Sequence, residues 1–183
     1  MNKIFLCVVL AIGSNMAVAN NTITFNGEIT SATCLAKIGG QSDATVTLPT
    51  ISTNAFTGET AGRTQFNIDV SGCQNATGKT VAAFFEPDAT NVDAATGLLN
   101  NVAPASPTPA GNVKMQLLDG ANGNAIKVGY QDQAATGGTT FNAISESNAA
   151  TLIYFVEYKK AVTADAVTAG PVVSRVVYNL MYK

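Results

Sequence analysis

Gly170-Pro171-Val172-Val173-Ser174-Arg175-Val176-Val177-Tyr178-Asn179-Leu180-Met181-Tyr182-Lys183 closes the sequence. Read as a strand, it places Val172, Ser174, Val176, Tyr178, Leu180 and Tyr182 on one face, because side chains of extended backbone alternate with period two. It is the longest alternating stretch in the chain, and β-branched and aromatic residues dominate it. The chain stops one residue after Tyr182. A sheet that ends on this strand, with no strand following, is expected to leave an edge open, and open edges recruit strands.

The same period recurs upstream. Thr22 to Thr30 carries Ile23, Phe25 and Ile29 on one face. Phe66, Ile68 and Val70 alternate just before Cys73. Val81 to Glu86 is a near-continuous apolar run that fits a buried strand. Val113, Met115 and Leu117 alternate into the turn cluster Asp119-Gly120-Ala121-Asn122-Gly123. Leu152 to Tyr158 is a further aromatic, β-branched stretch. Between these, Asn101 to Asn112 carries Pro104, Pro107 and Pro109, which cannot donate to a ladder, so it reads as a surface crossover. Gly137-Gly138 marks another turn, and Asp93 to Leu99 is expected to form no more than one turn of helix. There is no amphipathic helix, internal repeat or dividing linker. The pattern is that of a single all-β sandwich.

The other end of the sequence is a secretory leader in form. Lys3 precedes an apolar run, Ile4 to Ile12, and Ala17-Val18-Ala19 is a small-x-small cleavage site. The run is too short to span a bilayer. Removing residues 1–19 leaves 164 residues with 9 basic and 12 acidic side chains, a net charge of −3. That is one domain of ordinary size. No basic cluster remains to neutralise phosphates, so nucleic acid is not an expected partner. Cys7 leaves with the leader, so Cys34 and Cys73 have one possible pairing in an exported chain.

Catalytic readings fail on inventory. The chain has no histidine, the commonest general base and metal ligand. The acidic residues are scattered beside turns, and neither Gly120-Ala121-Asn122-Gly123 nor Thr136-Gly137-Gly138-Thr139 matches a phosphate-cradling loop. No enzyme, metal site or cofactor is expected.

Asn20-Asn21-Thr22-Ile23-Thr24-Phe25-Asn26-Gly27-Glu28-Ile29 follows the cleavage site directly. Chain termini are usually polar and frayed. This one is a strand pattern, with Asn21, Ile23, Phe25, Gly27 and Ile29 sharing a face. The residues alone leave two readings open: a first strand paired within its own domain, or a strand lent to another chain. The open edge expected at the C-terminal end favours the second.

At this point the sequence resembles the chaperone–usher fimbrial subunits, in particular the type 1 pilin-like family. Thr22 to Ile29 ahead of Cys34 resembles the family's opening, F-x-G-x-I followed by a cysteine. Phe66-Asn67-Ile68-Asp69-Val70-Ser71-Gly72-Cys73 and Val113-Lys114-Met115-Gln116-Leu117-Leu118-Asp119 resemble two of its core strands. Gly170, fourteenth from the end, and the penultimate Tyr182 match its C-terminal signature. Leu48-Pro49 with Ala61-Gly62-Arg63-Thr64 is similar to a subgroup.

The resemblance implies an incomplete immunoglobulin-like sandwich, completed by a donor strand from a neighbouring subunit. It implies residues 20–33 as a donor extension and 34–183 as the pilin domain. Asn21, Ile23, Phe25, Gly27 and Ile29 become the donor positions. Gly170, Val172, Val176, Tyr178, Leu180 and Tyr182 become the groove that a periplasmic chaperone and then a neighbour's donor strand occupy. Cys34–Cys73 becomes the bridge between the first two strands. The expected partners are copies of the chain or related pilins, the chaperone and an outer-membrane usher. The expected location is the cell surface, reached through the periplasm. The alternative is a monomeric secreted carbohydrate-binding sandwich. It would need an exposed aromatic platform, and the chain has no tryptophan.

Overall fold

The computed structural model describes residues 23, 24 and 26–183. The leader and the donor positions Asn21 and Phe25 lie outside the described residues. Eight strands follow in order: β1 (Thr33–Lys37), β2 (Thr60–Gln74), β3 (Thr80–Phe85), β4 (Val113–Asp119), β5 (Ala125–Ile126), β6 (Asn142–Ala143), β7 (Ala150–Lys160) and β8 (Tyr178–Tyr182). They form two sheets, of strand order β1-β2-β7-β4-β5 and β6-β3-β8. Every pairing is antiparallel. Two 3-10 turns, Thr53–Ala55 and Gln131–Ala134, are the helical elements among the described residues.

The alternating stretches became the long strands because each buries one face. Ile68 and Val70 of β2, Leu152, Tyr154 and Val156 of β7, and Met115 and Leu117 of β4 face Val81, Ala83 and Phe85 of β3 across one hydrophobic cluster. β3 is buried on nearly its whole length, as its unbroken apolar run requires. Asn101 to Asn112 crosses without strand structure, and Asp93 to Leu99 holds a single turn closed by the Gly97 N–H donating to the Asp93 carbonyl at 2.8 Å. The turn after β4 is fixed by the buried carboxylate of Asp119. It accepts from the backbone N–H groups of Ala121, Asn122 and Thr140 and from the Thr140 hydroxyl.

Gly62 sits where β2 slips register against β7, with φ of +69°. A Cβ there would stand 2.8 Å from the Tyr158 ring. The bulge gives Gly62 its requirement for glycine. Beyond it, the Arg63 Nε donates to the buried Glu157 carboxylate at 2.8 Å.

Two expectations change in extent. The described part of Thr22 to Thr30 forms no strand, and the first strand is instead the short segment around Cys34. Of Val172 to Tyr182, only Tyr178–Tyr182 joins a ladder. Residues 171–177 stay extended but are held by single bonds to the crossover. Val102 N–H donates to the Val173 carbonyl at 2.7 Å, Asn101 Nδ2 to the Pro171 carbonyl at 3.1 Å, and Ser174 Oγ to the Asn100 carbonyl at 2.7 Å. The crossover, with its prolines, offers too few donors to continue a sheet.

Candidate functional site

The smaller sheet has two edges, and the chain treats them differently. Along β3, β6 pairs only with Thr80 and Val81. Beyond it, side chains take over. The Tyr154 hydroxyl, reaching across from the other sheet, accepts from the Ala83 N–H at 3.0 Å. The buried Gln133 amide then pairs with Phe85 as a strand would, accepting from its N–H at 2.9 Å and donating to its carbonyl at 3.0 Å. The N–H groups of Ala83 and Phe85 and the Phe85 carbonyl, buried on that edge, are thereby answered. Burial pushes the Tyr154 phenol up to about 12, against the opposing hydrogen bond from Ala83.

The β8 edge has no such cover. Thr80 and Lys183 exchange two backbone bonds, at 2.9 and 3.0 Å, and the Glu86 N–H donates to the Val177 carbonyl at 2.9 Å. The antiparallel pattern therefore turns the backbone of residues 177, 179, 181 and 183 toward β3. Residues 178, 180 and 182 direct their N–H and C=O groups the other way, where they find no partner among the described residues.

The same residues carry the inward side chains. Val172, Val176, Tyr178, Leu180 and Tyr182 all pack against the core cluster, yet each is only half-buried. Val173 and Val177, between them, point outward. The alternation read from the sequence is thus present over the whole run, including the part outside the ladder. Burial raises the Tyr178 and Tyr182 phenols. For Tyr182 the Cys34 backbone beside its hydroxyl works in the opposite direction. That contact brings the end of β8 next to β1, whose outer edge is also unpaired among the described residues. Cys34, Ala36 and Ile38 are half-buried against the same cluster. Cys34 and Cys73 are joined by a disulfide.

Gly170 lies at the start of this run and is exposed. Its visible constraint is the crossover, since a Cβ there would stand 2.4 Å from the Ala110 nitrogen. Sequence reasoning missed Val46 and Leu48. They sit in a second extended stretch outside any ladder and present half-buried side chains to the same cluster. The alternation Val46-Thr47-Leu48 was the available signal, too short to stand out.

The N-terminal segment does not fill the gap it would fit. Ile23 is 77% exposed and Ile29 is 99% exposed. A Cβ at Gly27 would meet nothing within 4 Å. Ala32, 5% exposed, is the first described residue to enter the core. Two isoleucines thus stand in water ahead of a sandwich whose inward apolar row is only half-covered.

At the far side of the sandwich, Lys114 bonds Asp93. That hydrogen bond, with support from the Ala95 N–H, lowers the Asp93 carboxyl to about 2. A depressed carboxyl pKa stabilises the fold above its unfolded value of 3.8, and this contribution is lost as pH falls through about 2. Replacing Lys114 with methionine is expected to move the Asp93 titration upward, read by carboxyl carbon NMR.

Among the described residues, no three His, Cys, Asp or Glu side chains cluster as a metal site.

Residues 48–183 match the family described as Type-1 fimbrial protein, A. The chain is 39% identical over 168 residues to the major fimbrial subunit SMF-1 of Stenotrophomonas maltophilia, covering 90% of this chain and 93% of that one. It is 38% identical to the F17 fimbrial protein of Escherichia coli, over the full length of both. In fold it is similar to a subunit of a chaperone–usher pilus, with TM-score 0.57 at 18% identity, covering 92% of this chain and 98% of that one. It is also similar to the P pilus rod subunit PapA, with TM-score 0.56 at 17% identity, covering 81% and 99%. The chain belongs to the type-1 fimbrial protein family, and is a structural subunit of a surface fimbria rather than an enzyme.

Proposed function

We propose that the subunit polymerises by giving residues 20–29, the outer part of the expected extension 20–33, to a neighbour and receiving the equivalent segment along its own β8 edge; Ala32 and Thr33 stay with the chain's own core and β1. The observation that carries this is the contrast between its two sheet edges. The β3 edge is met by β6, the Tyr154 hydroxyl and the Gln133 amide, while the β8 edge leaves both backbone and apolar side chains without partners among the described residues. In this reading Ile23, Phe25 and Ile29 enter the groove beside Val172, Val176, Tyr178, Leu180 and Tyr182. Burying the three at about 1.5–3 kcal/mol each supplies roughly 4–9 kcal/mol, with ladder hydrogen bonds added. Asn21 is polar and contributes little. A periplasmic chaperone covers the groove before assembly, and an outer-membrane usher is where the exchange takes place. Gly170 starts the groove segment, and the receiving domain, expected as residues 34–183, takes in Ala32 and Thr33 as well.

Gly27 tests the register. In this reading its backbone passes closest to the acceptor, where a side chain would hold the strands apart. In the free subunit the position is open, so a side chain there costs the fold nothing. Gly27→Leu is expected to leave chaperone-bound subunit levels unchanged and to cut fibre yield sharply. Fibre yield equal to the parent's would refute the placement of Gly27 in the groove.

A further inference from the structure

The chain contains two exposed Asn-Gly pairs in contrasting settings, Asn26-Gly27 and Asn122-Gly123. Asn-Gly is the dipeptide most open to intramolecular deamidation, because glycine places no side chain in the way of ring closure. The Gly27 nitrogen attacks the Asn26 side-chain carbonyl carbon, forming a five-membered succinimide. The side-chain nitrogen leaves as ammonia, taking up the proton from the glycine N–H. Water then opens the ring at either carbonyl, giving aspartate or isoaspartate. No oxidant or cofactor is needed. Closure does require a free glycine N–H, a free asparagine amide and free rotation between them.

Asn122-Gly123 meets none of these conditions. The Gly123 N–H donates to the Asp119 carbonyl at 2.9 Å. The Asn122 amide donates to the Gly138 carbonyl at 2.9 Å and its oxygen accepts from the Asn124 N–H at 2.8 Å. The Asn122 N–H is itself held by the Asp119 carboxylate. Asn26-Gly27 meets all three. Both residues are exposed, no atom beyond the adjoining residues lies within 4 Å of where a Gly27 Cβ would be, and no hydrogen bond reaches either residue among the described ones.

We propose that Asn26 is a self-modification site of the unassembled subunit, and that strand insertion protects it. The proposal rests on the donor reading of residues 20–29. Inserted as a strand, residues 26 and 27 are held extended, which keeps the glycine nitrogen away from the asparagine side chain. Left free, the pair converts with time. Isoaspartate carries the main chain through the former side chain, adding one backbone atom between Ile23 and Ile29. That shift breaks the period-two register on which groove entry depends. Subunits that wait too long thereby lose the ability to donate while keeping an intact groove.

The test follows full-length mature subunit, held with its chaperone, and assembled fibres through the same incubation at neutral to mildly alkaline pH. Peptide mass mapping with isoaspartyl methyltransferase labelling reads both sites. The expected result is isoaspartate accumulating at residue 26 in the free subunit, little in fibres, and none at residue 122 in either. Fibre yield from aged subunit should fall in step, and Asn26→Gln, a substitution on the outward face of the donor, should keep its yield through ageing. An unmodified Asn26 in aged free subunit, or modification of Asn122 at an equal rate, overturns the proposal and leaves the donor reading standing. Equal modification of Asn26 in fibres and free subunit overturns the donor reading itself, since the segment would then be exposed in the fibre.

Discussion

A subunit lacking residues 20–29 is expected to fold, bind its chaperone and form no fibres. The deletion removes no described residue of the core. Ile23 and Ile29 are exposed, and packing begins only at Ala32, beside Ser31, whose carbonyl accepts from Asn75 Nδ2. The groove residues Val172 to Tyr182 are untouched. The truncated chain should therefore accept a donor strand and be unable to supply one. Mixed with full-length subunit, it should cap growing fibres at one end, so mean fibre length falls as its fraction rises. Electron microscopy of fibres across a series of mixing ratios checks both effects. Normal fibres from the truncated subunit alone would remove the donor role from this segment. A truncated chain that unfolds would show instead that the segment completes its own sandwich, against its exposure here.

The lengths of these elements decided which of them were legible in the sequence. β2, β3, β4 and β7 are long enough for alternation or an unbroken apolar run to show, and each appears where the residues placed it. β5 and β6 hold two residues each and have no period to read. β1 is five residues around a cysteine, and its outward Leu35, 64% exposed, blurs the alternation. The inward row from Val172 to Tyr182 was legible because hydrophobic period is a local property. That the row lies partly outside any ladder was not, because it depends on where the crossover at residues 100–110 lies in space. Gln133 was invisible for a related reason. A glutamine in a turn looks solvated until the fold sets its amide against the backbone of Phe85. The contrast between the two sheet edges, which carries the functional proposal, is thus a fact of tertiary structure. The sequence carries an apolar alternation at each end, and the structure adds that, of the two edges of the smaller sheet, the β8 edge is the one left without partners among the described residues.

Replacing both Cys34 and Cys73 with alanine is expected to destabilise the free subunit by about 4 kcal/mol, the loop-entropy value for a closure of this length. The bridge spans 39 residues and ties β1 to the buried end of β2. β1 needs that tie. It is five residues long, bonds to a neighbour on one side only, and slips register between Thr33 and Leu35. It also carries Cys34 and Ala36, half-buried against the same cluster as the groove row. Losing the bridge lets this wall fray, so the mutant should bind a donor strand more weakly as well as unfold more easily. Domains of this size are stable by only about 5–15 kcal/mol, and the free subunit starts low because its groove is empty. The same loss should matter less after assembly, when a donor strand adds its own burial. Urea midpoints of oxidised and double-alanine subunits, each measured with and without a synthetic peptide of residues 20–30, separate the two effects. The expected pattern is a large drop without peptide, partly restored with it. Equal midpoints without peptide would mean that β1 holds its place by packing alone, and that the disulfide has no part in shaping the groove.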